Sequence, residues 1–214
     1  MIRKIEAINY IVARDFIIGK HYAGRIPSIS FAFGLFENEV LVAVCTFGKP
    51  ASNPLCKGVC GEAHSNKVYE LNRLVALEGT EEISQFVSGC LRKLKPLNLI
   101  IISYADTGMG HVGIVYQACN FMYTGQTKAR TDKYTEGNKH PRHYTDNNKH
   151  LRKVRTSKHR YIYFACDKNW KKLYKKALNY KIEDYPKGKS DRYTLGYVMK
   201  TKVINKNTND VFYV

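Results

Sequence analysis

Residues 103–125, SYADTGMGHVGIVYQACNFMYTG, decide how the rest of the chain is read. The apolar run LNLIIIS leads into them, a strand buried on both faces. That strand ends on Tyr104-Ala105-Asp106, and the chain turns through three glycines into the short helix VGIVYQAC. A further apolar strand, FMYTGQ, follows. A buried strand ending on a carboxylate, with a helix and another strand behind it, is how α/β domains present a reactive group at the C-terminal edge of a sheet.

Upstream, IRKIEAI reads as a strand, and NYIVARDFIIGKHY, with apolar residues at Ile11, Val12, Phe16, Ile17 and Ile18, as a helix ending near Gly19. ISFAFGLF and VLVAVCTF, joined by ENE, form a hairpin. Gly48 to Asn66 reads as a long loop, and KVYELNRLVAL as a strand. Thr80 caps a helix running to about Leu94. Downstream, 127–158 reads as a polar insertion with little periodicity, and HRYIYFAC as a strand. DKNWKKLYKKAL is an amphipathic helix with Trp170, Leu173 and Leu178 inward, and 179–214 is an extension with two short strand-like pieces. The whole, 1–214, is one domain of mixed α/β class with helices on both sheet faces.

Charge is the strongest compositional signal. The 214 residues carry a formal net charge of +17. From Lys128 to Lys202 there are twenty-two basic residues against seven acidic ones, a footprint for polyphosphate. Arg130, Arg142, Arg152, Lys153, Arg155, Lys158 and Arg160 are the candidate phosphate clamp. Among the nearby histidines, His140, His143, His150 and His159 are too irregularly spaced for a metal site. No stretch approaches the roughly 20 apolar residues of a membrane span, so no membrane role is expected. The six cysteines read as reduced thiols of a cytoplasmic protein. Cys56, Cys60 and His64 lack an obvious fourth ligand, so no metal is assigned there.

VYQACNF after a strand resembles the GNAT acetyltransferase superfamily, in which a Tyr at the position of Tyr116 commonly protonates a departing thiolate. The anion loop of that superfamily is glycine-rich, whereas LEGTEEIS here has only Gly79. KHYAGR, YELNRLVAL, SYADTGMGHVGIVYQACNFMYTG and SKHRYIYF together resemble the Mom family of phage DNA-modification proteins. That resemblance implies a GNAT-like sheet whose central strands splay apart. It also implies carbamoylmethylation of the exocyclic amine of adenine in double-stranded DNA, protecting phage DNA from restriction in the host cytoplasm.

The donor implied is acetyl-CoA or a related acyl or glycyl compound, held by Leu74, Val75, Ser103, Tyr104 and Tyr116; a redox metal and a homodimer stay open. Asp106 is the expected proton acceptor for the amine, Arg73 an electrostatic stabiliser, and His21 with Tyr22 the lining of a pocket for the extruded base. Tyr22, Tyr104, Tyr123 and Tyr134 are candidates to stack on it. The competing functions are N-acetyl transfer to a small-molecule or protein amine, and DNA binding without catalysis.

Overall fold

The computed structural model describes residues 2–136, 144–191 and 194–214. Seven strands form the main sheet: β1 (Arg3–Ala7), β2 (Phe31–Glu37), β3 (Val40–Gly48), β4 (Val68–Ala76), β5 (Leu99–Asp106), β6 (Met122–Gln126) and β9 (Lys158–Ala165). Their order is β1-β2-β3-β4-β5-β9-β6. A four-stranded sheet, ordered β11-β10-β8-β7, is built from β7 (Arg130–Lys133), β8 (Leu151–Arg155), β10 (Lys202–Asn205) and β11 (Val211–Tyr213).

Side-chain alternation along the strands sorts the core onto two faces. On one, Ala43, Cys45, Leu71, Ile101 and Ala105 pack against Phe86, Val87, Cys90 and Leu94 of α3 (Ile83–Leu94), and Tyr116 of α4 (Ile114–Ala118) joins them. On the other, Val68, Ile100, Ile102 and Ile162 pack against Cys56, Val59 and Cys60 of α2 (Asn53–Cys60) and Tyr174 of α5 (Lys168–Ala177). That second face also receives Ala13 and Ile17 of α1 (Tyr10–Ile17), which meet Val44 and Val75. Helices therefore cover both faces, as expected.

Two features of the centre make the site. β4 and β5 run parallel but pair only from Val68↔Ile100 to Glu70↔Ile102, after which they part. Ser103, fully buried, donates from Oγ to the Leu71 carbonyl at 2.9 Å, supplying the first bond the parted backbones cannot make. Beside the gap, the β3–β4 register jumps from Phe47↔Leu71 to Thr46↔Arg73, leaving Asn72 as the extra residue of a β-bulge. The bulge resets alternation, so Glu70 and Arg73, three apart, point to the same face.

Four expectations need correction. Gly48–Asn66 is not a loop: Ser52 caps α2 by accepting from the Leu55 N–H at 3.3 Å, and Leu55, Cys56, Val59 and Cys60 form one apolar face. The segment 127–158 contains β7 and β8, whose pairing with each other and with β10 gives that polar stretch its order. Thr80 does not cap α3, which starts after Glu82 in a left-handed conformation. In the helices, α5 buries Tyr174 while Leu173 is 44% exposed, and α1 buries Ala13 and Ile17 while Ile11, Val12 and Ile18 face outward. Short helices on a twisted sheet bury a narrower stripe than their apolar content suggests.

Candidate active site

The parted strands open a groove of about 1360 Å³. Its walls come from the turn after α1, β4, the end of β5, α4 and the small sheet, and among the described residues it carries eleven lysines and arginines against four carboxylates. The low-dielectric walls focus that field on the groove.

Asp106 is 3% exposed at the end of β5. Its Oδ1 accepts from Thr156 Oγ1 at 2.5 Å and from the Gly108 N–H at 3.0 Å, while Oδ2 meets Lys158 Nζ at 2.6 Å. Burial alone would raise its pKa; the Lys158 charge and these hydrogen bonds outweigh burial and hold the carboxyl below the usual carboxylate range. Lys158, expected in the phosphate clamp, is thus the partner of Asp106. Arg73 donates to the carbonyls of Asn72 at 2.6 Å and Arg25 at 2.8 Å, tying β4 to the turn after α1. Glu70 lines the groove and forms no ion pair or hydrogen bond among the described residues through its carboxylate; burial pushes its pKa up, against the pull of Arg73 and Lys158.

His21 stacks on Tyr22 with ring centroids 4.4 Å apart, and His111 meets Tyr22 edge-on at 5.9 Å. The Ala23 N–H donates to His21 Nδ1 at 3.1 Å. Burial, followed by the charges of Arg73, His111 and Lys158, lowers the His21 pKa to about 3. The ring is therefore neutral in the folded protein and protonated in the unfolded chain below its ordinary pKa of 6.5. Because the unfolded state binds the extra proton, stability should fall as pH drops from about 6.5, by up to about 2.7 kcal/mol at pH near 4.5. A His21→Gln variant should lose that part of the dependence, measurable as denaturation midpoints across this range; an unchanged profile would show His21 already charged in the fold.

Across the sheet, Tyr116 packs against Phe121 and Tyr161, each ring centroid 5.4 Å away, and reaches the groove with Leu74, Val115 and Gly113. Gly113 has φ +82° and a Cβ there would lie 2.5 Å from the Tyr161 ring, so only glycine admits this approach. Of the residues expected to hold the donor, Leu74, Tyr104 and Tyr116 line the groove; Ser103 bridges to β4, and Val75 is buried against α1. Of the candidate stacking tyrosines, Tyr22 and Tyr104 line the groove, Tyr134 does not, and Tyr123 is buried with its hydroxyl 3.0 Å from His159 Nδ1.

Of the clamp, Arg130, Lys153, Arg155, Lys158 and Arg160 line the groove; Arg152 does not, and Arg142 lies outside the described residues, as do His140 and His143. Arg160 is committed to Thr124, with Nε 3.0 Å from Oγ1, and to the Tyr180 ring at 3.5 Å. His111, Glu70 and Lys158 are the site residues that sequence reasoning missed or misplaced. Among the described residues, no three His, Cys, Asp or Glu side chains converge to hold a metal ion, and no helix is long and apolar enough to cross a membrane.

A solved structure shares the fold. The yncA protein of Salmonella typhimurium, solved with its cofactor acetyl-CoA, superposes with a TM-score of 0.50 over 78% of this chain and 96% of that one, at 7% identity. An N-acetyltransferase from Staphylococcus aureus Mu50 gives 0.48 over 77% and 99%, at 13% identity. Methylcarbamoylase mom of Escherichia phage Mu is 30% identical over 128 residues, covering 57% of this chain and 53% of that protein. The chain thus spans about half the length of the curated relative it matches. The match to the Mom protein family is longer, residues 3–187, and takes in all of the main sheet with the β4, β5 and α4 lining of the groove: the chain belongs to the Mom protein family.

Proposed function

We propose that this protein is a DNA-modifying transferase that converts the exocyclic amine of adenine to a carbamoylmethyl derivative. The observation that carries the reading is the groove itself. Its basic lining suits a phosphate backbone, and it runs through the sheet, so an acceptor entering beside Glu70 and Asp106 can meet a donor lying beside Tyr116. Family membership and the phage Mu methylcarbamoylase support the substrate.

Adenine in duplex DNA must be extruded to reach such a groove, and Tyr22 or Tyr104 offers an aromatic face for it. The amine is a weak nucleophile because its lone pair is delocalised into the ring. As its nitrogen bonds to the donor carbon, it must lose a proton. Asp106 is too enclosed and too fully hydrogen-bonded to take it, so this role passes to Glu70, whose raised pKa suits a base. Asp106 instead positions the Lys158 ammonium, which stabilises negative charge developing on the donor. Tyr116, which lines the groove on the donor side, is the group that gives a proton to the leaving atom in this reading.

The acetyltransferase likeness raises coenzyme A as donor, but the residues at the β4–α3 turn do not fit its pyrophosphate. Glu81 and Glu82 precede α3 where an anion would seek the helix amides, and Glu82 is ion-paired with Arg3 at 2.6 Å. No step is assigned to coenzyme A. The same misfit, with the basic groove, disfavours N-acetyl transfer to a small-molecule or protein amine. Plasmid DNA from cells making the protein should resist restriction endonucleases whose sites contain adenine; full cleavage with folded protein present would refute the proposal.

A further inference from the structure

Strand alternation divides the basic run of β8 between two faces of the small sheet. Lys153 and Arg155 share a face with Asp132, which pairs with Arg155 at 3.2 Å. Arg152 lies on the opposite face. There it stands directly across from Lys133 on β7 and Ile204 on β10, and Ile204 across from Val211 on β11. Two residues along, on the same face, Lys202 stands across from Tyr213.

This face is cationic and apolar at once. The lone acidic residue of the four strands, Asp132, is on the other side. Like charges held directly across a strand pair cost stability unless an anion lies between them, and Lys133 and Arg152 are so held. The Lys133 ammonium is kept in place 4.2 Å over the Tyr144 ring. Beside this pair, Val211 is 48% and Tyr213 63% exposed. Lys202 and Tyr213 also line the groove, so the face continues from the site. β10 and β11 fall beyond residue 187, outside the family match.

Phosphates beside stackable π-faces are the chemistry of single-stranded nucleic acid. We propose that this face binds a single strand of DNA, the stretch flanking the extruded adenine, with Lys133 and Arg152 on phosphates and Tyr213 stacked on a base. The inference rests on the reading of the groove as a DNA-modifying site.

The test is binding of a short single-stranded oligodeoxynucleotide, followed by fluorescence anisotropy across a salt series. Tyr213→Ala should weaken binding about tenfold, and Tyr213→Phe should preserve it, since stacking needs the ring and not the hydroxyl. Lys133→Ala with Arg152→Ala should flatten the log-affinity against log-salt slope by up to about 1.4, two single-strand phosphate contacts. Melting temperatures confirm folding of each variant. If the unaltered protein binds and modifies DNA while these variants keep its affinity and slope, the docking face is refuted and the proposed function stands. If the unaltered protein binds no DNA, both fall. If the variants instead convert a dimer to a monomer by light scattering, the face belongs to a second copy of the chain and the inference is refuted.

Discussion

Glu70→Gln should retain the fold and DNA affinity of the unaltered protein and slow adenine modification by roughly 10²–10⁴-fold, the span of a lost general base. Gln keeps the size of Glu and removes only the proton-accepting oxygen. The pH profile sharpens the prediction. Glu70 must be ionised to act, and burial sets its pKa above the ordinary carboxylate range even with Arg73 and Lys158 beside it. The unaltered protein should therefore lose rate on the acid side through that raised pKa, with Tyr104 also nearby but neutral, its own pKa pushed up by burial. The residual rate of the Gln variant should lack this limb. Single-turnover rates on duplex DNA across pH would measure it, and a Gln variant with unaltered rate would leave Glu70 a wall residue.

Asp106→Asn should act differently, lowering both rate and stability. The carboxylate is nearly closed off and the Lys158 side chain is 29% exposed, so the substitution leaves an ammonium without its counter-charge in a poorly hydrated place. A fully buried pair broken this way costs about 3–5 kcal/mol; with Lys158 partly hydrated, about 2 kcal/mol is expected. Asp106 has a lowered pKa in the fold, so its contribution is complete above the unfolded value near 3.9 and lost as pH falls through the lower folded value. At neutral pH the full destabilisation should appear in a denaturant titration. Modification should fall at least about 10²-fold while DNA binding persists, since the groove keeps its other cations. Loss of rate without loss of stability would mean that Asp106 touches the reacting atoms directly.

The parts of the fold that could be read were those where periodicity and burial agree. LNLIIIS and the ISFAFGLF–VLVAVCTF hairpin bury what their patterns predict, VGIVYQAC does form a short helix, and β5 does end on Asp106 in the groove. The bulge at Asn72 was not legible, because ELNR reads equally well as unbroken alternation, which would send Glu70 and Arg73 to opposite faces. Lys158 was read as surface charge because its partner is 52 residues away in sequence. LRKVR looked like one clamp, but pairing to β7 and β10 makes it a strand and splits its charges between two faces. His111 had a signal, a lone histidine closing the glycine turn after Asp106, that could have been weighed with His21.

Mass spectrometry of nucleosides from the DNA of cells producing this protein tests the central claim most directly. Deoxyadenosine carrying a carbamoylmethyl group should appear with the unaltered protein and be nearly absent with Glu70→Gln made at the same level. An unchanged nucleoside profile from cells containing folded, unaltered protein would contradict the account, as would a modification found only on another base.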